Sequence, residues 1–326
     1  MNTIRVAVIG GGALAENLYL PLLKQSTHFS MGALVEPNHE RGKKMAQAFN
    51  IPQTVASHTE IADDIDAVII TSPNSFHNDQ AQWCLRHQKH VLIEKPVTIS
   101  VAQSQELIHI ANQVNKIAAV GHVRRFFSPY QQTKRLIESK KIGKVTSFEI
   151  TEGFVFNWPL ASPSLIHPAV SGGGILMDVG PHVLDLLIHW FGMPLETTYY
   201  DDFKGGVEAE CMIKLKFPDQ IHGTIHLSRL RNLNNQWKLI FEKNTLTFEP
   251  KAGSELQFEH PAEDLLKRAG YTTGTMAFTA QLDNFYRAIQ GIEKPECTVQ
   301  EGAACIRVIE NCYTNRKPVE ELYTHY

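Results

Sequence analysis

Two alternating rhythms of apolar residues run through the first 122 positions. Short, nearly continuous apolar runs occur in "IRVAVIG" (4–10), "FSMGALVE" (29–36), "IDAVIITSP" (65–73), "HVLIEKP" (90–96) and "IAAVGH" (117–122). Their length and β-branched content are those of strands buried on both faces. Between them, apolar residues recur at helical spacing in "ALAENLYLPLLKQS", "HERGKKMAQAFN", "FHNDQAQWCLRHQ" and "ELIHIANQVN". Ser100 and Gln103, just ahead of the last of these, have capping-box spacing. Strands separated by helices predict right-handed crossovers and a parallel sheet.

After residue 122 the rhythm changes. "SPYQQTKRLIESKKIG" predicts a helix with Lys140 and Lys141 in its last turn and Gly143 as its stop. From "KVTSFEITEGF" onward the period is two: "AECMIKLKFP", "IHGTIHLSRL" and "WKLIFEKNTLTFEP" predict strands of an antiparallel sheet with one buried face. Lys214 and Lys216 share the other face. One helix interrupts around 181–191. Two more close the chain in "AFTAQLDNFYRAIQ" and "VQEGAACIRVIENCY", the second with Thr298 and Glu301 at capping-box spacing. No internal repeat is visible. The fold class is α/β: a parallel-sheet domain over residues 1–122, then an α+β domain over 123–326 with a mostly antiparallel open sheet. The C-terminal helices are candidates to pack back on the first domain.

The composition is compatible with this. The chain has 326 residues, enough for two domains of ordinary size, and 43% are apolar. A formal charge of −3, with no long run of one sign, gives no footprint for nucleic acid. Five scattered cysteines without a C-x-x-C pair read as reduced thiols. "MNTIRVAVIGGG" is too short for a secretory leader, and no apolar run reaches the roughly 18 residues of a membrane span. A cytoplasmic protein with no membrane partner is expected.

Candidate chemistry begins at "VIGGGALA". Gly10, Gly12 and Ala15 make a G-x-G-x-x-A pattern between a strand and a helix that Ala13 and Leu14 open. Glycines there permit a tight turn and the approach of a pyrophosphate to backbone N–H groups. Glu36 ends the second strand 24 positions after Gly12, where a carboxylate meets an adenosine ribose. This predicts a Rossmann dinucleotide-binding domain. "TSPNSFH", with Thr71, Ser72, Pro73, Asn74 and His77, follows another parallel strand at the edge where such sheets bind ligands. Glu94, Lys95 and Pro96 reach the same edge, so Glu94 and Lys95 join the expected cofactor-binding set.

The second unusual stretch is "SGGGILMDVGPHVLDLLIHWFG" (171–192). Three glycines leave room for something to approach the backbone. Pro181 suits the first turn of a helix, which puts His182 at its start. Asp178 lies four residues earlier, on the same face if the segment is helical through both. A histidine near a carboxylate suits proton transfer near neutral pH; a capping aspartate beside a packed histidine is the plainer alternative. His222 and His226 read as structural, and no metal site is expected. There is no G-x-S-x-G elbow and no P-loop lysine, so acyl transfer and kinase chemistry are unsupported.

Taken in order, "GGGALA", "VEP", "TSPNSFH", "EKP", "GHVRRFFSPY" and "GGGILMDVGPHVLDLLIHWFG" resemble the Gfo/Idh/MocA oxidoreductases, the family of glucose–fructose oxidoreductase and inositol dehydrogenase. The resemblance covers most of residues 4 to 192 and fits the remainder in pattern only. It implies a Rossmann domain followed by a sheet that often serves as an oligomer interface, hence a homodimer or homotetramer. It implies transfer of a hydride between NAD or NADP and a hydroxyl or ketone of a sugar, sugar derivative or cyclitol. Lys95 matches the lysine that binds the reacting hydroxyl, Asp178 the carboxylate that orients it and His182 the general acid–base. The Lys95–Pro96 bond is expected to be cis.

The expected substrate lining adds His122, Arg124, Asn157, Trp158 and His167 to those three, and Arg124 is also assigned to the cofactor. Glu36 favours NAD, with NADP admissible. The family's N-terminal arm is not expected, since the first strand begins at residue 4, and neither is a non-dissociating cofactor. Two other readings stand beside this one: a non-catalytic cofactor-binding regulator, and a dehydrogenase of a non-sugar dihydrodiol or ketone. Lys95, Asp178 and His182 occurring together argue against the first. Trp158, able to stack on an aromatic ring, keeps the second open.

Overall fold

The computed structural model describes residues 3–155, 166–261 and 270–322. The first sheet is built from β1 (Ile4–Ile9), β2 (Phe29–Val35), β3 (Thr54–Val55), β4 (Ala67–Ile70), β5 (His90–Glu94) and β6 (Ala118–Gly121). The helices between them are α1 (Leu20–Gln25), α2 (His39–Phe49), α3 (His77–Arg86) and α4 (Val101–Gln113). The strand order is β3-β2-β1-β4-β5-β6 with every pair parallel. That is the doubly wound order, with a crevice where the winding reverses between β1 and β4.

Local chemistry explains where these elements stop. β4 and β5 end before Pro73 and Pro96, which have no N–H to give to a ladder. The two-residue β3 carries no apolar run and is not legible in the sequence. The first helix starts with a π turn over Ala15–Tyr19, just ahead of Pro21, whose missing N–H breaks the regular bonding. Ser100 caps α4 by accepting from the Gln103 N–H, while the Gln103 side chain reaches the N–H of Ile99 instead of Ser100.

The second region contains α5 (Ser128–Ser139), β7 (Val145–Gly153), α6 (Pro168–Ser171), α7 (Ile175–Asp178), α8 (Gly180–Phe191), β8 (Glu196–Asp201), β9 (Glu210–Lys216) and β10 (His222–Ser228). β11 (Gln236–Phe241), β12 (Thr245–Phe248), β13 (Gln257–Phe258), α9 (Gly274–Ile289), α10 (Val299–Thr314) and β14 (Lys317–Pro318) follow. Its eight strands run β13-β12-β11-β7-β10-β9-β8-β14. Five of the seven pairings are antiparallel; β7–β10 and β8–β14 are parallel.

Phe148, Ile150, Ile213, Leu215, Ile225, Trp237 and Leu239 lie on the buried face, in one core with Val183, Leu186 and Leu187 of α8. Glu149, Thr198, Met212, Lys214, Thr224 and Lys238 lie on the other face, partly or fully exposed. Two expectations change in detail. "WKLIFEKNTLTFEP" is a hairpin, turned at Asn244, whose carbonyl accepts from the Phe241 N–H. Helix α5 ends at Ser139, because Lys140 itself takes the left-handed conformation (φ 54°).

The C-terminal helices do return. Ala277, Phe278, Leu282, Phe285 and Tyr286 of α9 share a core with Val6, Val8, Tyr19, Leu23 and Phe29. α10 packs against both α4 and α8, with the Thr298–Glu301 capping box formed. Arg125, Asp185 and Glu301 form a strut that ties the segment after β6 to α8 and α10: the buried Arg125 guanidinium donates to both oxygens of the buried Asp185 (2.8 and 2.7 Å) and to the half-buried Glu301 (2.9 Å). All five cysteines are buried and free. Among the described residues, no helix is long and apolar enough to cross a membrane.

Candidate active site

A cleft of about 660 Å³ opens at the carboxyl ends of β1, β4 and β5. The glycine loop forms one end. Gly10 has φ +98°, and a Cβ there would sit 2.8 Å from the Ser72 nitrogen. A Cβ on Gly11 would strike the Glu36 carboxylate, whereas one on Gly12 would meet no protein atom. The loop therefore closes on its own chain at Gly10 and Gly11 and is open towards the cleft at Gly12, the geometry that lets a pyrophosphate approach. Ala13 and Leu14 line the cleft, while Ala15 is fully buried as the close-packing position.

Glu36 is buried beside this loop. It accepts from the Gly11 N–H (3.0 Å) and the Asn38 N–H (2.8 Å), with the Arg41 guanidinium 3.6 Å away. Arg41, which the sequence places in the next helix, lines the cleft as well. The Thr71–His77 segment forms the opposite wall, and most of its polar side-chain atoms hold that wall in place. Thr71 donates to the Ile9 and Gly10 carbonyls, Ser72 to Gln80, and Asn74 to the Ser171 carbonyl across the cleft. His77 lies between the Pro96 carbonyl (2.7 Å) and the Ser72 carbonyl (2.8 Å), and burial lowers its pKa. Pro73 also lines the wall.

Charged side chains meet at the other end of the cleft. The Lys95–Pro96 bond is cis. Lys95 Nζ donates to the Asp178 carbonyl (2.9 Å) and to Asp178 Oδ1 (3.1 Å). Arg229, just past β10, donates to the other oxygen of Asp178 (3.2 Å) and to the Gly174 carbonyl (3.1 Å). Burial pushes the Asp178 carboxyl up, but Lys95 and Arg229 outweigh it and hold it below the usual range. Val179, between α7 and α8, is itself helical (φ −92°, ψ −33°), so Asp178 and His182 stand one turn apart.

The expected aspartate–histidine pairing is nevertheless not formed. Both Asp178 oxygens are engaged by cations, and His182 Nδ1 is buried with no hydrogen-bond partner among the described residues. Burial, then the Lys95 and Arg124 charges, hold His182 well below its ordinary pKa, so it is neutral at pH 7.

The remaining expected residues are placed differently. Arg124 forks onto Glu152 of β7 (2.6 and 2.8 Å), which also accepts from the Trp237 indole. This pair holds the guanidinium assigned above to cofactor and substrate; like His182, Arg124 is not among the residues that line the cleft, but it stands close enough to His182 for its charge to lower the pKa there. His122 is buried 3.7 Å from Asp185, and burial holds its pKa down at about 4; it faces the Arg125 strut and is not part of the cleft lining. His167 is exposed at the start of α6, three positions before the cleft-lining Val170. Asn157 and Trp158 lie outside the described residues.

The three glycines at 172–174 make room for the chain itself: side chains at Gly173 and Gly174 would overlap Tyr313 and the Glu208 backbone. Among the described residues, His122, Asp185 and Cys297 come within metal-ligand reach of one another. Arg125, on both Asp185 oxygens, already supplies the cation there. Sequence reasoning missed Arg229. A lone arginine after a strand carries no local signal that a carboxylate 51 positions away will meet it.

A six-stranded doubly wound sheet with a glycine loop, joined to a second sheet domain whose helices α6 and α7 line the far wall of the cleft, defines a two-domain dinucleotide-binding protein. Residues 4–122 match the oxidoreductase family with an NAD-binding Rossmann fold, and residues 130–247 match the GFO/IDH/MocA C-terminal domain. The chain belongs to the Gfo/Idh/MocA oxidoreductase family.

It is 33% identical to trans-1,2-dihydrobenzene-1,2-diol dehydrogenase of Xenopus laevis, over 60% of each chain. It is 26% identical to scyllo-inositol 2-dehydrogenase (NADP(+)) of Bacillus subtilis, over 61% of this chain and 54% of that one. The matched part thus spans little more than half the length of such relatives. In structure it is similar to aldose-aldose oxidoreductase from Caulobacter crescentus, with a TM-score of 0.82 and 23% identity over 96% and 97% of the two chains. It is also similar to a 3-ketoreductase from Actinomadura kijaniata solved with NADP and TDP-benzene, with a TM-score of 0.84 and 19% identity over 98% and 99%.

Proposed function

We propose that the chain is an NAD(P)-dependent dehydrogenase or reductase acting on a secondary hydroxyl or ketone of a sugar, sugar derivative or cyclitol. The observation that carries this reading is Lys95. Its ammonium stands in the cofactor cleft against Asp178, one helical turn from a neutral His182. The open side of Gly12, Glu36 and the backbone around Thr71–Asn74 would hold the dinucleotide, and Glu94 would face its nicotinamide end. When bound, the nicotinamide supplies the hydride acceptor or donor.

Lys95 has three N–H donors, and Asp178 takes two. The third is available to the reacting oxygen, where the charge stabilises a developing alkoxide. Asp178, held charged by two cations, fixes the direction of that ammonium. In oxidation the hydroxyl proton passes to His182, which is neutral and so able to accept it; in reduction His182 returns it.

NAD is the preferred cofactor in this reading, because the Glu36 carboxylate opposes a 2′-phosphate. Arg41, within 3.6 Å of that carboxylate, tempers the repulsion and makes NADP admissible. The open face of the second sheet, with half-buried Met212 and Thr198, is the proposed contact of a homodimer or homotetramer. Sedimentation showing only monomer at micromolar concentration would remove that contact.

A second reading, oxidation of a non-sugar dihydrodiol, draws on the similarity to the Xenopus laevis enzyme. One panel separates the two. NADH and NADPH formation is followed with free sugars, inositols, sugar phosphates, nucleotide sugars and a trans-dihydrodiol. Turnover of a polyol with NAD is expected. Turnover of the diol alone favours the second reading, and cofactor binding without any turnover favours a regulator.

A further inference from the structure

Glu94 lines the cleft beside Lys95, yet its carboxylate is almost entirely buried (5% exposed) and held from three directions. Oε1 accepts from the Tyr19 hydroxyl at 2.5 Å, and Oε2 accepts from the Lys95 backbone N–H at 3.1 Å. Tyr19 accepts in turn from Gln281 Nε2 at 2.7 Å. Gly121 closes the third side, since a Cβ there would lie 2.8 Å from Glu94 Oε1. Tyr19 is fully buried in the π turn behind the glycine loop, and Gln281 is buried on α9. Gln281 is thus 262 positions from the tyrosine it touches.

We propose that Tyr19 and Gln281 are positioning residues for Glu94: the hydrogen-bond chain from Gln281 through Tyr19 turns the carboxylate so that it accepts from the ribose hydroxyls at the nicotinamide end of a bound cofactor. Through this chain α9 contributes to a site it does not line. The proposal rests on the assignment of Glu94 to the cofactor wall made above.

The direction of the chain follows from proton counting. A tyrosine hydroxyl has one hydrogen. If it donates to Glu94, the bond from Gln281 must arrive at its oxygen, which fixes the amide orientation. Glu94 then receives two protein donors and offers none, as a carboxylate does and a carboxylic acid does not. Burial pushes the Glu94 pKa up, while the bond from Tyr19 and the Lys95 charge pull it back. Losing the Tyr19 hydroxyl leaves a buried carboxylate with one donor, which protonates or turns away. The Gly121 approach limits where it can turn.

The test uses NADH binding, read by its fluorescence, so that it does not depend on the identity of the substrate. Tyr19→Phe and Glu94→Gln should each weaken NADH binding by about tenfold or more, the usual weight of a hydrogen bond to a charged group. The double variant should be no weaker than the worse single, because both changes remove one arrangement. Gln281→Leu should act in the same direction with a smaller loss, and it carries the test if Tyr19→Phe does not fold. In Tyr19→Phe, binding should recover as pH rises and Glu94 regains its charge. Losses that add in the double variant, or a Tyr19→Phe protein at wild-type affinity beside a weakened Glu94→Gln, would overturn the positioning role. Wild-type NADH affinity in Glu94→Gln would overturn it by removing Glu94 from the cofactor wall, leaving the oxidoreductase reading to the substrate panel.

Discussion

The two ends of the cleft are built by opposite means. At the glycine loop the groups come from residues 10–15 and from Glu36 at the end of the neighbouring strand. They act by shape: a positive φ at Gly10, an open side at Gly12, a flush Ala15. At the reacting end the groups come from the ends of β5, α7 and β10 and from the first turn of α8, and they act by charge. Lys95 and Arg229 grip Asp178, and the surrounding positive charge helps to keep His182 neutral. Shape set by adjacent residues survives most distant substitutions. A charge balance assembled from four places does not, so the reacting end should be the more sensitive of the two.

Substitutions that separate the ends test this. His182→Ala should lower kcat for oxidation by about 10²- to 10⁴-fold, the range of a lost general base. The sign of its pH dependence follows from the depressed pKa. In the proposed mechanism His182 acts as the base when neutral, so the oxidative rate should rise as pH climbs through that pKa, with the limb below pH 6.5, the ordinary histidine value. The variant should lose the limb; an unchanged limb in a kcat–pH profile would assign the base elsewhere.

Arg229→Gln should cost about tenfold in kcat/KM, a typical loss for a charge-assisted contact. With one cation removed, the Asp178 carboxyl rises toward its ordinary range. Activity on the acid side should then be lost at higher pH than in the parent, while NADH affinity is kept. At the shape-built end the effect is expected on cofactor choice and not on rate. Glu36→Ser should lower the NAD-to-NADP ratio of kcat/KM by roughly ten- to a hundredfold, the size of one like-charge encounter, without lowering kcat on the better cofactor. An unchanged ratio would mean that the carboxylate serves only the Gly11 and Asn38 N–H groups that it accepts from.

What the sequence made legible follows the same division. The parallel strands, the glycine loop, Glu36 and the caps at Ser100 and Thr298 are short-range patterns, and each lies where its spacing implies. Lys95 and Asp178 were legible through resemblance, and they do meet. The partners of Arg124 and His122, Glu152 and Asp185, were not legible, because they lie on other elements and a charged residue near a motif gives no sign of which carboxylate it will meet. The triple glycine was read as room for a visitor, but it accommodates Tyr313 and Glu208 from the chain's own later segments. Arg229 and the Tyr19–Gln281 chain escaped notice for the same reason: long-range pairing of polar side chains has no periodicity to read.

The central claim is that Lys95 serves the reacting oxygen and not the cofactor. The most direct measurement compares Lys95→Ala with the parent protein in two quantities: the NADH dissociation constant, and the rate of a single hydride transfer on whichever compound the substrate panel identifies. The account predicts an unchanged dissociation constant and a rate lowered by at least about 10²-fold, since charge stabilisation at the reacting oxygen is worth that much. A near-parental rate, or a loss seen only in NADH binding, would contradict it.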